Sequence, residues 1–304
     1  MDKKKRMLGI TCGIMTGVGW GLSGVFSQYL FSNTTMQPGW FVAIRMLLSG
    51  IGLLIYTWIV DAGSLRKMLH HKKDFIQCIL AGVLGNMLFQ LFCYSAVKEA
   101  NAPTAIVLQY LCPVMVIIYA SIRKKKLPKK LEVLSILFAV TGIFLISTHG
   151  DIHQLVLTPK ALFFGVGCAF FMTLGTVIPE RLYKDYSVQS ITSVMLLSGG
   201  IVAVLFVQPW KNIPAMQTMD VLSLALAILF GSVLAYLTYA LAIKHIGSSK
   251  ASLCACAEIP IATVLSILFL GSTFEKIDFA GFVLIVSTIF LTSVKQESEV
   301  CANE

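Results

Sequence analysis

Charge is scarce in this chain. Asp, Glu, Lys and Arg make up 13% of its 304 residues, about half the share found in soluble domains. That shortage excludes a charged surface able to keep so long a chain in water. Extended polar connections are missing too, so a catalytic domain outside the apolar segments has no chain to occupy. No Gly-rich phosphate loop, zinc-protease helix or nucleophile elbow is present. ATP-driven work and the familiar hydrolase chemistries are thereby removed, and no cofactor is expected. No disulfide framework is implied either: of eight cysteines, Cys12, Cys78, Cys93, Cys112, Cys168, Cys254 and Cys256 lie inside apolar runs, where a thiol serves as a small apolar side chain. Cys254 and Cys256 fall about 200° apart around a helix and cannot share a ligand site.

What the chain has instead is apolar length. Hydrophobic residues make up 57% of it and the mean hydropathy is +0.81, which defines an all-α polytopic membrane protein. A spanning helix needs about 20 apolar residues. Ten such segments can be drawn, at 8–31, 39–60, 75–97, 102–122, 131–148, 161–179, 188–207, 221–243, 249–271 and 277–294. The opening Met-Asp-Lys-Lys-Lys-Arg and its apolar run resemble a signal peptide, but the run is long enough to span and has no small-residue cleavage site. It is read as the first helix. The net charge of +9 does not imply nucleic acid, because Lys and Arg cluster in short loops as orientation signals do. With the N-terminus inside, the inner loops hold 19 of the 24 Lys and Arg, the outer loops hold 4, and Arg45 lies within the second segment. The expected topology is ten helices in the plasma membrane with both termini cytoplasmic. The basic run from Arg123 to Lys130 is an anchor at that face, with nonspecific contact to anionic lipid.

The chain also repeats itself. Met46-Leu47-Leu48-Ser49-Gly50 returns as Met195-Leu196-Leu197-Ser198-Gly199, and a shift of 146 residues pairs Asp74 with Asp220, Gly85 with Gly231, Lys98 with Lys244 and Ala105 with Ala251. Pro113 meets Pro260 after a slip of one residue. The two repeats run over 8–148 and 161–294, with five segments each. An odd number of helices inverts the second repeat relative to the first, an arrangement of secondary transporters whose sites lie near mid-membrane between the repeats.

One stretch, Lys244 to Ser272, places Glu258 in the middle of a membrane-length apolar run. A carboxylate at that depth is costly and faces a bundle interior or a watery cavity, which marks a functional site. Glu258 is too far from the interface for its short side chain to reach water. It is expected to exchange a proton, to meet a cationic group of a solute, or to stay protonated against a neighbouring helix. Pro260 has no amide for the Cys256 carbonyl, which is expected to be left free beside the acid. Lys98 to Pro113 has the same layout with Gln109 as the nearest counterpart of the acid. Pro113 and Pro260 are expected to break the fourth and ninth helices.

Asn86, Gln90 and Tyr94 share one face of the third helix, and Ser232, Tyr236 and Ala240 are their equivalents in the eighth. They either line two walls of a solute cavity or make interhelical hydrogen bonds, worth about 0.6–2 kcal/mol each. Gly9, Gly13, Gly17 and Gly21 form a smooth packing face on the first helix, beside Trp20 and Ser23. Trp20 stacks on a solute or fills core. Arg45 either snorkels to the outer surface or clamps a substrate carboxylate. His149, Asp151 and His153 form no convincing metal set in an outer loop.

Several of these features resemble the drug/metabolite transporter superfamily, specifically its EamA-type branch. The resemblance covers about Leu8 to Val294 and rests on Gly19-Trp20-Gly21, Ala43-Ile44-Arg45, Tyr94-Ser95-Ala96 leading to Ala105 and Pro113, and Tyr239-Ala240-Leu241 leading to Ala251-Ser252-Leu253 and Ala257-Glu258-Ile259-Pro260. Two departures stand out: Ile259 separates the acid from the proline, and the Gly-Glu that often follows helices four and nine is missing. The resemblance implies transport, often export, of small metabolites such as amino acids. Together with the residues it gives the expectation of a secondary active carrier, not an enzyme, with a small-molecule substrate and a proton or other ion as partner. Trp20, Arg45, Asn86, Gln90, Tyr94, Gln109, Tyr236 and Glu258 are the expected binding residues. Passive uniport or exchange is the alternative, and a membrane scaffold or sensor a more distant one.

Overall fold

Inside a bilayer every backbone N–H and C=O must be satisfied within protein, so open-ended spanning segments form helices. A computed structural model of the chain describes residues 3–125, 130–149 and 157–301, and all regular structure among the described residues is helical. In chain order the helices are α1 (Lys3–Asn33), α2 (Pro38–Val60), α3 (Ala62–His70), α4 (Lys72–Glu99), α5 (Ala102–Gln109), α6 (Cys112–Lys124), α7 (Lys130–Thr148), α8 (Pro159–Val177), α9 (Val188–Val207), α10 (Thr218–Gly247), α11 (residues 248–255), α12 (Glu258–Leu270) and α13 (Lys276–Cys301). Local signals start several of them. Asn101 caps α5 by accepting from Thr104 N at 2.9 Å, and Thr158 caps α8 by accepting from Ala161 N at 3.1 Å, each with proline in the first turn.

Among the described residues, seven helices are long and apolar enough to cross a membrane, counting Ala102–Arg123 as one. The fifth and ninth expected spans coincide with shorter apolar helices, Val133–Thr148 and Glu258–Leu270. The ninth is short because the chain breaks at Cys256 and Ala257. Gly247, at φ +78°, takes a conformation that favours glycine and turns the chain from α10 into α11.

The repeated pentapeptide forms a seam between α2 and α9. A Cβ on Gly50 would lie 2.6 Å from Leu197 N, and one on Gly200 would lie 2.6 Å from Leu47 N. Position 50 therefore faces 197 while 47 faces 200, so the helices run antiparallel about a local two-fold. A second seam joins α7 to α13 in the same way. A Cβ on Gly142 would meet Ile285 Cγ1 at 2.6 Å, and one on Gly281 would meet Ile146 Cγ1 at 2.6 Å. The two repeats share a further irregularity: α4 widens into π-helical turns at Ala81–Met87 and α10 at Leu229–Leu234.

The glycine face of α1 packs along the stretch that carries Glu258. A Cβ on Gly13 would lie 2.6 Å from Cys254 Cβ, on Gly17 2.5 Å from Ala255 O, and on Gly21 2.9 Å from Glu258 O. Both ends of the bundle carry bonds between elements that are far apart in the chain. At the face where α1 begins, Asp74 bonds Arg181 and accepts from Tyr186 Oη at 2.8 Å, Ser187 N donates to Ser64 Oγ at 2.9 Å and Lys67 Nζ to Asp185 O at 3.2 Å. Burial and the adjoining Asp74 push the Tyr186 hydroxyl up to about 12, so it remains a donor at neutral pH. At the opposite face Gln28 Oε1 accepts from Ala102 N at 2.8 Å and Ser266 Oγ at 3.1 Å, and its Nε2 donates to Ser272 Oγ at 3.1 Å.

Overpacking a filled contact costs about 1–3 kcal/mol. Gly17→Ala is therefore expected to lower the thermal midpoint of the detergent-solubilised protein, whereas Gly52→Ala, with nothing within 4 Å of its Cβ position, should hold or raise it. Equal midpoints would remove the close packing of α1 as a source of stability.

Candidate solute-binding site

An apolar bundle holds a charge only where other protein groups meet it. Arg45 and Glu258 are each 5% exposed. Arg45 points inward: its Nε donates to Ser232 Oγ at 2.8 Å and its Nη2 to Gly231 O at 2.7 Å. The guanidinium lies 5.0 Å from the centre of the Tyr94 ring and 5.9 Å from that of Phe41. Snorkelling to the outer surface, one of the two expectations for this residue, is overturned. The cause is local. The π turn of α10 disturbs the helical ladder and presents the Gly231 carbonyl to an outside donor. Glycine is required there because a Cβ would lie 2.2 Å from Ser23 Cβ, and Ser23 Oγ fastens α1 by donating to Ala227 O at 3.0 Å.

Glu258 opens α12, where unsatisfied amides and the helix dipole favour negative charge. Its Oε2 accepts from Tyr110 Oη at 3.2 Å and Gln109 Nε2 at 3.4 Å. Both exceed the usual length of about 2.5–2.9 Å for bonds to a carboxylate, so the acid is loosely held. Its donors come from the break between α5 and α6. Successive residues of an intact helix point about 100° apart; Tyr110, at φ −71° and ψ 4°, leaves the helical path, and both side chains reach one acid. Pro113 lies in the first turn of α6 and Pro260 in the first turn of α12, where a missing amide costs little. The Cys256 carbonyl, expected to be free, instead accepts from Ile259 N at 3.1 Å. The break tightens into a short turn that supplies a different donor.

The other expected residues gather around these two charges. Gln90 Nε2 donates to Asn86 Oδ1 at 3.2 Å, and Asn86 adjoins the Tyr236 hydroxyl. Tyr236 meets Trp20 edge-on at 6.1 Å, and Trp20 lies 5.4 Å from Tyr239. Tyr94 packs on Phe41 at 4.7 Å and forms a platform under Arg45. Gln109 Oε1 accepts from Cys93 Sγ at 3.6 Å. Arg45 is within electrostatic reach of Tyr236, Cys93 and Glu258, yet among the described residues no ion pair joins it to Glu258.

Among the described residues, Arg45 Nη1, a donor, and Gln90 Oε1, an acceptor, have no protein partner in this region. Buried polar atoms nearly always have one. The arrangement can therefore receive a solute that accepts at one end and donates at the other. Tyr110 was not among the expected residues. Its signal was its place beside Gln109, three residues before Pro113, where a helix that bends cannot keep to ideal spacing. Asp151 and His153 lie outside the described residues, and His149 pairs with Asp278 at 3.2 Å and Glu275 at 3.5 Å.

The model of the EamA-like transporter family matches residues 7–148 and 159–294. The chain belongs to that family. Like other EamA-like proteins it is a multi-pass membrane transporter, built from two copies of the family's repeat. It is 29% identical over 291 residues to the uncharacterized inner membrane transporter YicL of Salmonella typhimurium, covering 96% of each chain. It is 26% identical over 289 residues to the uncharacterized transporter YyaM of Bacillus subtilis, covering 92% of this chain and 90% of that one. A solved crystal structure shares the fold with a TM-score of 0.63 at 14% identity, over 97% of this chain and 98% of that one.

Lysine in place of Arg45 would keep the charge of this EamA-like transporter and lose the fork that bonds both Gly231 and Ser232. Loss of a hydrogen bond to a charged group costs about 1.5–3 kcal/mol. Arg45→Lys should lower the thermal midpoint clearly, and an unchanged midpoint would show that the fork does not hold α2 to α10.

Proposed function

We propose that this EamA-like transporter is a secondary active exporter of small zwitterionic metabolites such as amino acids, working by alternating access between two inverted five-helix halves. The observation that carries the reading is the pair of opposite buried charges, Arg45 and Glu258, held apart with Arg45 Nη1 and Gln90 Oε1 unpartnered between the surrounding elements. A solute carboxylate satisfies Nη1. A solute ammonium is received by Gln90 Oε1 and Glu258. Trp20 and Tyr236 face its remaining atoms, Asn86 and Gln109 hold Gln90 and Glu258, and Tyr94 supports Arg45.

The antiparallel seams of α2 with α9 and α7 with α13 support inverted halves. Ten crossings and cytoplasmic termini rest on the segment count and on the excess of Lys and Arg, 19 against 4, in alternate loops. The bonds at both faces support the reading of a carrier that passes through a closed intermediate. The chain has no ATP-binding motif, so a gradient drives transport in this reading. Glu258, with long bonds from two neutral donors, takes up and releases the coupling proton. Export is the direction that the family resemblance favours.

Purified protein in proteoliposomes should exchange labelled amino acids in counterflow. Glu258→Gln should abolish uptake driven by a proton gradient, and Arg45→Gln should raise the half-saturating concentration at least about tenfold, the loss of one charge-assisted contact. Undiminished gradient-driven transport by Glu258→Gln would remove the acid from the mechanism.

A further inference from the structure

A second region of concentrated charge lies outside the bundle core. A groove of about 460 Å³ at the face where α1 begins is lined by His70, His71, Lys72, Lys73, Asp74 and Arg181. We propose that this groove binds the phosphate-bearing headgroup of an anionic phospholipid and that the lipid bridges the two halves there. The proposal does not depend on which solute the transporter carries.

Charge complementarity is the first ground. Asp74 is the only acid in α3 and the first turns of α4, and both of its oxygens are engaged, one by Arg181 and the other by Tyr186 Oη at 2.8 Å. Lys72, Lys73 and both histidines stay exposed, and Arg181 remains 65% exposed while bound to Asp74. The groove thus gathers three fixed cations, Lys72, Lys73 and Arg181, and its one lining acid, Asp74, is already engaged. Basic pockets of this kind between helices at a membrane surface suit anionic headgroups.

Placement decides between a lipid and a free anion. The amphipathic α3 rests on the bundle through Leu65 and Met68, 1% and 0% exposed. Arg66 of α3 lies 5.0 Å from the centre of the Trp58 ring at the end of α2, and Trp with Arg marks the headgroup level of a bilayer. Leu69 and Ile76, 45% and 55% exposed, border the cations with apolar surface. A dissolved phosphate has no use for that surface; the acyl chains of a lipid continue along it. The cations also come from both halves, Lys72 and Lys73 of α4 from the first and Arg181 from the second, so a headgroup seated among them reinforces the tie between Asp74 and Arg181.

The test is a titration of the delipidated full chain, in a neutral detergent, with fluorescent phosphatidylglycerol, with phosphatidylcholine as the zwitterionic control. Saturable phosphatidylglycerol binding is expected, weakened about tenfold by Lys72→Gln/Lys73→Gln, as the loss of two interfacial cations implies. Arg123→Gln/Lys130→Gln, which removes equal charge from the other basic cluster, should leave the affinity unchanged. All four side chains changed are on the surface, and unchanged thermal midpoints of the two variants verify their folding; Arg181→Gln gives an independent third variant. Equal weakening by the two double variants would reduce the binding to general surface charge and overturn the proposal. Displacement of the lipid by inorganic phosphate would assign the groove to a free anion and overturn it equally.

Discussion

Two opposite charges kept apart inside an apolar bundle set the terms for the rest of this structure. Insertion of one charged residue at mid-membrane costs about 2.5–3.5 kcal/mol on translocon scales, and leaving a buried charge without its partner costs several more. Arg45 and Glu258 are not joined to each other, so each needs its own support. For Arg45 it comes from a carbonyl and a hydroxyl of the π turn in α10, with the Tyr94 ring beneath. For Glu258 it comes from the start of α12 and from two neutral donors at the break between α5 and α6. The breaks and the π turn are departures from regular helix, and each brings a partner to one of the two charges.

The same departures explain why the repeats are related without being equivalent. Both contain a π turn after an acid, Asp74 or Asp220, and both contain a helix broken ahead of a proline. Only the second carries an acid at its break. The first supplies Gln109 and Tyr110, which donate to that acid. Duplicated elements thus meet at one carboxylate, one giving the titratable group and the other its hydrogen bonds. The exterior shows a similar asymmetry: Asp74 ties its half to Arg181 and Tyr186 of the other, whereas Asp220 accepts from the nearby Gln217 N, at 2.8 Å.

Apolar length, the repeated pentapeptide and the isolated acid were legible in the sequence because each depends on composition or spacing along one chain. Gly50 and Gly200 fill the same role on opposite sides of a two-fold, one residue out of step with the repeated pentapeptide, which pairs Gly50 with Gly199. The inward turn of Arg45 was not legible. It depends on a π turn, an alternative hydrogen-bonding pattern that the same residues could have avoided, and on a carbonyl 186 positions away in the chain. The Cys256 oxygen was misjudged for a related reason: removing the proline amide predicts a missing donor, but not that a tightened turn brings Ile259 N in its place. Tyr110 escaped notice because helical spacing points it away from Gln109, and the break cancels that spacing. The ninth expected span, 249–271, runs across a break that leaves Glu258–Leu270 as a short helix.

The most direct test of paired recognition by Arg45 and Glu258 is a thermal-shift comparison of the purified transporter against amino acids, the matching amines and the matching carboxylic acids. Zwitterions should raise the midpoint where neither half-molecule does, and the rise should vanish in Arg45→Gln. Stabilisation by an amine or an acid alone to the same degree, or a zwitterion response that survives in Arg45→Gln, would contradict a site organised around the two charges.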